Sequence, residues 1–413
     1  MKKRVVVTGL GAVTPIGNNV KDFWSNAKEG RCGIDCISLF DIKNSKAKLS
    51  AEVKELNLED HFKKKQILRM DRFCQIGIIA AREAFDNAGL LGIDIDKNRL
   101  GVVMGNGVGG INTITHETSN LYNGGMNMVS PLLIPKSLSN ILTGSISMEF
   151  GAKGISNAVI TACAAGTNAI GEGFRNIQYG DADIVICGGS EACINPLMVA
   201  GFTNMNALTL SKDKNRASIP FDRERNGFVI GEGAGILILE EYSHAIKRNA
   251  KIYAEVSGYG FTSDAYHLTA PDPSGEGAAR AMNLALLNAS VNPRDISYIN
   301  AHGTSTVLND KYETRAIKEV FGDLAYSIPI SSTKSMTGHL LGASGAIEAL
   351  VCIKSIEDDF IHQTVGYREK DSNCDLDYVE KSGRKKRLDS VLSNSFGFGG
   401  HNASIVFKRY NKK

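Results

Sequence analysis

Three side chains with reactive chemistry stand in settings that simple packing does not require. Cys163 lies in "VITACAAGTNAIGEG", residues 159–173, between a β-branched run and a segment made almost wholly of Ala, Gly, Ile and small polar residues. A thiol at such a strand-to-helix turn meets free N–H groups and the positive end of a helix dipole, which lower its pKa from about 8.5 and favour the thiolate. Ala164, Ala165 and Gly166 leave room beside it for a substrate carbonyl. His302, in "INAHGTSTVLND", ends a strand-like run and enters a Gly/Thr/Ser loop, and His339, in "SSTKSMTGHLLGASG", follows Lys334 and opens a second small-residue segment. Taken singly, a cysteine is more often a small buried hydrophobe, as Cys187 or Cys352 would be, and a histidine a satisfied structural residue. One thiol and two imidazoles brought together suit acyl transfer, in which sulfur takes the acyl group and the imidazoles steer charge and protons.

Something must bring them together, and the order of elements supplies it. "RVVVTG", "RLGVVMG", "NAVITA", "ADIVICGG" and "GAGILILEE" read as strands separated by helical segments. From about residue 251 the series begins again with "KIYAEVSGYG", "ISYINAHG", "SIPISST", "DSVLSNSFGFGG" and "NASIVFKRY". In each pass a strand runs into a small-residue helix, then a strand ending in a glycine pair, then a last apolar strand. One α/β unit therefore occurs twice, in residues 1–250 and 251–413. A helix of Ala, Gly and Ser has no charged stripe and no bulk, so it suits a layer between two sheets. The expected architecture is α/β in five layers, α/β/α/β/α, with the two small-residue helices packed together and Cys163 and His339 facing one pocket. Residues 105–155 form an excursion that can wall or cover that pocket.

The composition narrows the alternatives. Among 413 residues, a net charge of +3 with 22% charged residues gives no basis for nucleic-acid binding, and 43% hydrophobic content with 43 glycines argues against disorder. The cluster "GRKKR" at 383–387 reads as a polar loop. Eight cysteines without a CxxC pair fit a reducing cytoplasm, and nothing near Cys32 and Cys36 completes a metal site. The apolar start is broken by Gly9, Gly11 and Pro15, so it reads as a strand and turn rather than a signal peptide, and no window reaches the ~18 apolar residues of a membrane span. "GNGVGG", with Gly105, Gly107 and Gly110, matches GxGxxG after a strand. "INTITHETSNLYNGG" behind it is a poor helix with no acidic residue closing a second strand, so nicotinamide binding is not expected.

Five long stretches in order, "TACAAGTNAI", "PFDRERNGFVIGEGAG", "NAHGTSTVLND", "KSMTGHLLGASGAIE" and "SNSFGFGGHN", resemble the signatures of the elongating β-ketoacyl-acyl carrier protein synthases, and most closely the type II enzymes of dissociated fatty acid synthesis. The likeness runs from "RVVVTGLGAVTPIG" to "NASIVFKRY", nearly the whole chain. It implies the thiolase-like fold, a homodimer, and a decarboxylative condensation with acyl- and malonyl-loaded acyl carrier protein, without metal, nucleotide or flavin. It also implies that Cys163 is the nucleophile, that the amides of Cys163 and Phe398 form an oxyanion hole, and that His302 and His339 hold the malonyl thioester oxygen. Lys334 matches the family lysine, here a charge anchor paired with Glu348, while Asp310 and Glu313 brace the lysine and histidine loops. Thr304, Thr306 and Thr269 would bind the pantetheine arm, Val108 and Phe202 line the acyl tunnel, Phe398 gate it, and Lys65 and Arg69 dock the carrier. Val307 stands where a proline is usual. Leu68, Asn127, Met128 and Asn206 occupy positions often basic, which points to a less acidic or pathway-specific carrier. Two other readings stay in view: a ketosynthase of a polyketide or polyene pathway, and a silent chain-length factor, against which the intact Cys163, His302, His339 and Lys334 count.

Overall fold

The computed structural model describes residues 2–411. Ten strands carry the architecture: β1 (Val5–Val13), β2 (Leu100–Gly105), β3 (Ser156–Val159), β4 (Ile184–Glu191), β5 (Gly233–Glu241), β6 (Ala254–Ser263), β7 (Tyr298–Asn300), β8 (Ile330–Ser331), β9 (Ser390–Gly397) and β10 (His401–Lys408). The first five lie in the order β3-β2-β4-β5-β1 and the last five in the matching order β8-β7-β9-β10-β6. Parallel and antiparallel pairings match as well: β2 is parallel to β3 and β4, as β7 is to β8 and β9, while β4–β5–β1 and β9–β10–β6 run antiparallel. The duplication read from sequence is therefore visible strand by strand. One feature is additional: Val5–Val7 of β1 pair with Ala254–Val256 of β6, joining the two five-stranded units into a single ten-stranded sheet.

Three buried clusters separate five layers. α1 (Arg72–Asn87) and α4 (Ile141–Phe150) cover one face of the first unit with Ile76, Ala80, Leu142 and Ile146 against Val102, Ile186 and Ile236. α6 (Glu276–Ala289) and α7 (Val307–Phe321) cover the far face of the second unit through Met282, Leu286 and Ile317. Between the units lie α5 (Ala165–Tyr179) and α8 (Ser344–Asp358), whose Ile170, Phe174, Ile347 and Leu350 share one core with Leu237, Tyr298 and Ile405. Strands covered on both faces explain why β4 and β5 read as continuous apolar runs rather than alternating ones.

The small residues of α5 and α8 have a geometric cause. A Cβ added to Gly345 would lie 2.0 Å from Thr167 Oγ1, and one added to Gly166 would lie 2.9 Å from the Ala346 nitrogen and the Gly342 carbonyl oxygen. The helices meet nearly backbone to backbone, and beside that contact the hydroxyls of Thr167 on α5 and Ser395 on β9 share a 2.8 Å hydrogen bond.

The excursion differs from its expected form. "INTITHETSNLYNG" is a regular 14-residue helix, α2 (Ile111–Gly124), followed by α3 (Leu133–Ser137). Tertiary contacts outweigh its weak intrinsic propensity: buried Asp71 accepts hydrogen bonds from the Thr113 amide and hydroxyl at 2.8 and 2.6 Å, anchoring the first turn. A helix after "GNGVGG" still makes no dinucleotide site, because the Gly107 and Val108 amides already bind the buried carboxylate of Glu191 at 2.5 and 3.2 Å.

Candidate active site

The nucleophile turn is strained. Ala162 has φ +49° and Cys163 follows it in a 3-10 turn, Ala162–Ala164, that feeds directly into α5. The second unit repeats the device: Leu341 has φ +46° and leads through Leu341–Ala343 into α8. Gly342 thus occupies in the second unit the place that Cys163 holds in the first. Positive φ at a non-glycine residue costs of order 1–3 kcal/mol and persists only where packing enforces it.

A cavity of about 470 Å³ opens at this turn. Cys163, His302, His339, Phe398, Val108, Phe202, Thr269, Thr304 and Thr306 all line it. Lys334, Asp310, Glu313 and Glu348 lie behind its wall, fully buried, while Lys65 and Arg69 are exposed on the short helix Lys64–Arg69. The imidazoles of His302 and His339 are perpendicular, with centroids 5.4 Å apart. Phe396 abuts His302 at 5.7 Å and Phe228 abuts His339 at 5.2 Å.

Each imidazole is held from behind. Lys334 Nζ donates to the His302 carbonyl at 2.6 Å, lies 3.3 Å from His302 Nδ1, and pairs with Glu348. An ammonium has donors only, so Nδ1 of His302 must accept, and the ring proton sits on Nε2. The His302 and Gly303 amides donate to the two oxygens of Glu313, both at 2.8 Å. His339 is not the first residue of a helix. It forms an extended bridge with Ile230, donating its amide to the Val229 carbonyl at 2.7 Å, and its Nδ1 lies 2.9 Å from the hydroxyl of Ser344, the first residue of α8. In both rings Nε2 is left for the cavity.

Asp310 holds the loop that follows His302, with the Thr304 amide among its partners. It accepts from the Phe221 amide at 2.8 Å and lies 3.6 Å from Arg225, whose guanidinium in turn binds the carbonyls of Thr306 and Val307. The threonine loop is fixed by this group, and the hydroxyls of Thr304 and Thr306 lie 2.9 Å apart at the cavity wall. Val307 is the exposed first residue of α7, a position where proline is common but dispensable.

Burial governs the protonation states. It pushes both histidines well below their usual range, aided by Lys334 and, for His302, by His339, so both are neutral. It also pushes the Cys163 thiol up to about 12, against the pull of Lys334 and of the Phe398 and Cys163 amides. Desolvation thus opposes the thiolate that the helix start, its amides and Lys334 favour. Those two amides converge on the sulfur because Gly397 lets the chain pass close, where an added Cβ would lie 3.1 Å from the Cys163 nitrogen.

Glu191, Ser344 and Phe396 belong to this site and escaped the sequence reading. Glu191 is wholly buried, burial raises it to about 7, and besides Gly107 and Val108 it accepts from the Gly342 amide at 3.2 Å, tying the tunnel wall to the turn before α8. A carboxylate ending the otherwise apolar run "IVICGGSE" was the available signal. Nothing in the spacing marks Ser344. Among the described residues no group of three or more His, Cys, Asp or Glu is placed to hold a metal, and no helix is long and apolar enough to cross a membrane.

Comparison with known proteins agrees along the whole chain. Residues 2–245 match the N-terminal domain of the β-ketoacyl synthase family and residues 253–368 its C-terminal domain. Curated relatives named 3-oxoacyl-[acyl-carrier-protein] synthase 2 from Synechocystis and Staphylococcus aureus are each 48% identical, over 410 and 411 residues and 99% of both chains. Among solved structures, a type II polyketide ketosynthase in complex with its acyl-carrier protein and bound to the hexaketide is 35% identical with a TM-score of 0.93 over 100% of both chains. A β-ketoacyl synthase from Burkholderia phymatum is 33% identical with a TM-score of 0.91, over 99% of this chain and 100% of the other.

Proposed function

The chain belongs to the β-ketoacyl synthase family, and we propose that within it the protein elongates fatty acyl chains, joining an acyl-enzyme to malonyl-acyl carrier protein with loss of carbon dioxide. The observation that carries this reading is the single cavity shared by Cys163, His302 and His339. In the first stage the sulfur of Cys163 attacks the thioester carbonyl of acyl-carrier protein. The new S–C bond replaces the old one, and the proton given up by the Cys163 thiol ends on the departing pantetheine sulfur. The Cys163 and Phe398 amides stabilise the oxyanion; one such donor is typically worth about 2.7–4 kcal/mol.

In the second stage the bond to the malonyl carboxylate breaks, and its electron pair passes into an enolate whose oxygen is held by the Nε2–H groups of His302 and His339. Ser344 donates its hydroxyl to Nδ1 of His339, as Lys334 donates to Nδ1 of His302. The enolate carbon then attacks the acyl carbonyl, and Cys163 departs and takes up one proton. No metal or bound cofactor enters this balance. Thr304, Thr306 and Thr269 would hold the pantetheine arm, Val108 and Phe202 the acyl chain, and Phe398 the entrance, while Lys65 and Arg69 would meet the carrier. Residues 1–250 and 251–413 act as two copies of one unit, the first bringing the nucleophile and the second both imidazoles. The protein would work in the cytoplasm as a homodimer.

Fatty acid elongation is favoured over a polyketide pathway because the 3-oxoacyl synthases stand at 48% identity and the polyketide ketosynthase at 35%. The decisive experiment is intact-mass analysis after offering acyl-carrier proteins of two to eighteen carbons: acyl mass should appear on Cys163 and vanish in Cys163→Ala. Cys163→Gln, which imitates the acylated state, should still decarboxylate malonyl-carrier protein without condensing it. Full product formation by Cys163→Ala would overturn the assignment.

A further inference from the structure

A run of cations without acidic partners lies outside the cavity. Lys63, Lys64, Lys65 and Arg69 are exposed on or beside the helix Lys64–Arg69, and none forms an ion pair within 4 Å among the described residues. Lys136, on α3, is far from them in sequence but not in space: its Nζ donates to the Leu68 carbonyl at 3.3 Å. Lys136 is likewise without an ion pair. Its field reaches Asp71 and Glu117, but Asp71 is satisfied by Thr113 and Phe73, and Glu117 by Ser130 and Asn120. Two of its three ammonium protons therefore remain for something outside this chain.

The position connects this surface to the site. A Cβ added to Gly110 would lie 2.2 Å from the Lys136 carbonyl oxygen, and the same glycine-rich loop presents Gly107 and Val108 to the cavity. The patch is also partly apolar: Leu68 is 64% exposed within the basic helix.

We propose that Lys136 is a docking residue for the acyl carrier protein, completing with Lys65 and Arg69 a cationic face around exposed Leu68. The occupant is a carrier protein whose contact surface joins acidic groups to an apolar side chain. Lys136 places a charge beside Leu68, so the docking face regains from α3 a cation that the Lys64–Arg69 helix lacks at position 68. Charge complementarity of this kind acts mainly on encounter and is screened by salt. The inference rests on the carrier-dependent reading of the cavity.

The test compares acylation of Cys163 by octanoyl-acyl carrier protein from Staphylococcus aureus with acylation by octanoyl-pantetheine, each followed by intact mass. The readout is the ratio of kcat/KM for carrier to that for pantetheine. Lys136→Glu should lower this ratio about tenfold and Lys136→Ala about threefold, and the ratio should depend less on salt between roughly 50 and 300 mM in the charge-reversed variant than in wild type. A ratio equal to wild type in Lys136→Glu, including equal losses on both substrates, would overturn the docking role while leaving the condensing reading intact. Wild-type enzyme acylated by neither substrate would instead sink the reading of the cavity, and the docking role with it.

Discussion

Lys334 directs three donors at fixed targets behind the cavity, and this sets what His302 can do. With one proton on the His302 carbonyl, one toward Nδ1 and one on Glu348, the ammonium faces no substrate and fixes a tautomer instead. This geometry fits a positioning role rather than proton transfer. Lys334→Met should slow malonyl decarboxylation roughly 100-fold, mostly in kcat, since the imidazole loses its orientation. The same change leaves Glu348 buried without its partner and should cost about 3–5 kcal/mol of stability. Adding Glu348→Leu should restore most of the stability, read by denaturant unfolding, but not the decarboxylation; recovery of both would make Lys334 merely structural. The histidines themselves yield a pH prediction. Their folded-state pKa values lie well below 6.5, so between pH 8 and 6 neither takes up a proton. Decarboxylation by Cys163→Gln should show no loss from imidazole protonation across that interval. Unfolded histidines do protonate below about 6.5, so their contribution to stability is complete above that pH and declines as pH falls beneath it. An acid limb in decarboxylation centred near 6.5 would contradict the neutral pair.

At the scale of elements, α5 and α8 were legible because their chemistry is unusual: helices without bulk have few places to go except between layers. Their contact makes a sharp prediction. Gly345→Ala would put a methyl on the Thr167 hydroxyl and against Ser395 Oγ at 2.8 Å, breaking the bond between them. Overpacking of this kind costs about 1–3 kcal/mol, and because α5 begins at the nucleophile turn, acylation of Cys163 should slow as well. A lowered denaturation midpoint with an unchanged slope would report the first effect, and slower appearance of the acyl mass the second. Other features could not be read locally. α2 has a sequence poor in helix formers and is held by Asp71, a residue outside the excursion. Cys163 invited a thiolate because its turn and its following helix are visible in sequence, whereas the layers that desolvate it are assembled from both units. The three reactive side chains were readable from local context, and Glu191 was marked as a carboxylate in an apolar run; Ser344 acts through a folded distance that spacing does not encode.

At the scale of the whole molecule, β3, the outer strand of the first unit, is a free edge of the sheet. Ser156 and Asn157 are exposed, and Ile160 just beyond is 54% exposed. On the inner side, the Val102 amide bonds to the Ile155 carbonyl and the Asn106 amide to the Val159 carbonyl. Strand alternation then turns the amide and carbonyl of Ala158 outward, unpaired by this chain. A four-residue sheet edge left bare still invites pairing, and two copies meeting edge to edge around a twofold axis would close it with one self-complementary surface. The first unit would then extend its sheet into that of a second copy, placing the two excursions, each of which walls a cavity, beside the same seam. Ala158→Pro removes the outward donor and leaves the bonds to β2 in place. Wild-type protein should sediment as a dimer and Ala158→Pro as a folded monomer, with acylation of Cys163 weakened as the excursion loses its support. Retention of both dimer mass and full activity by the Ala158→Pro variant would show that the copies associate through another face.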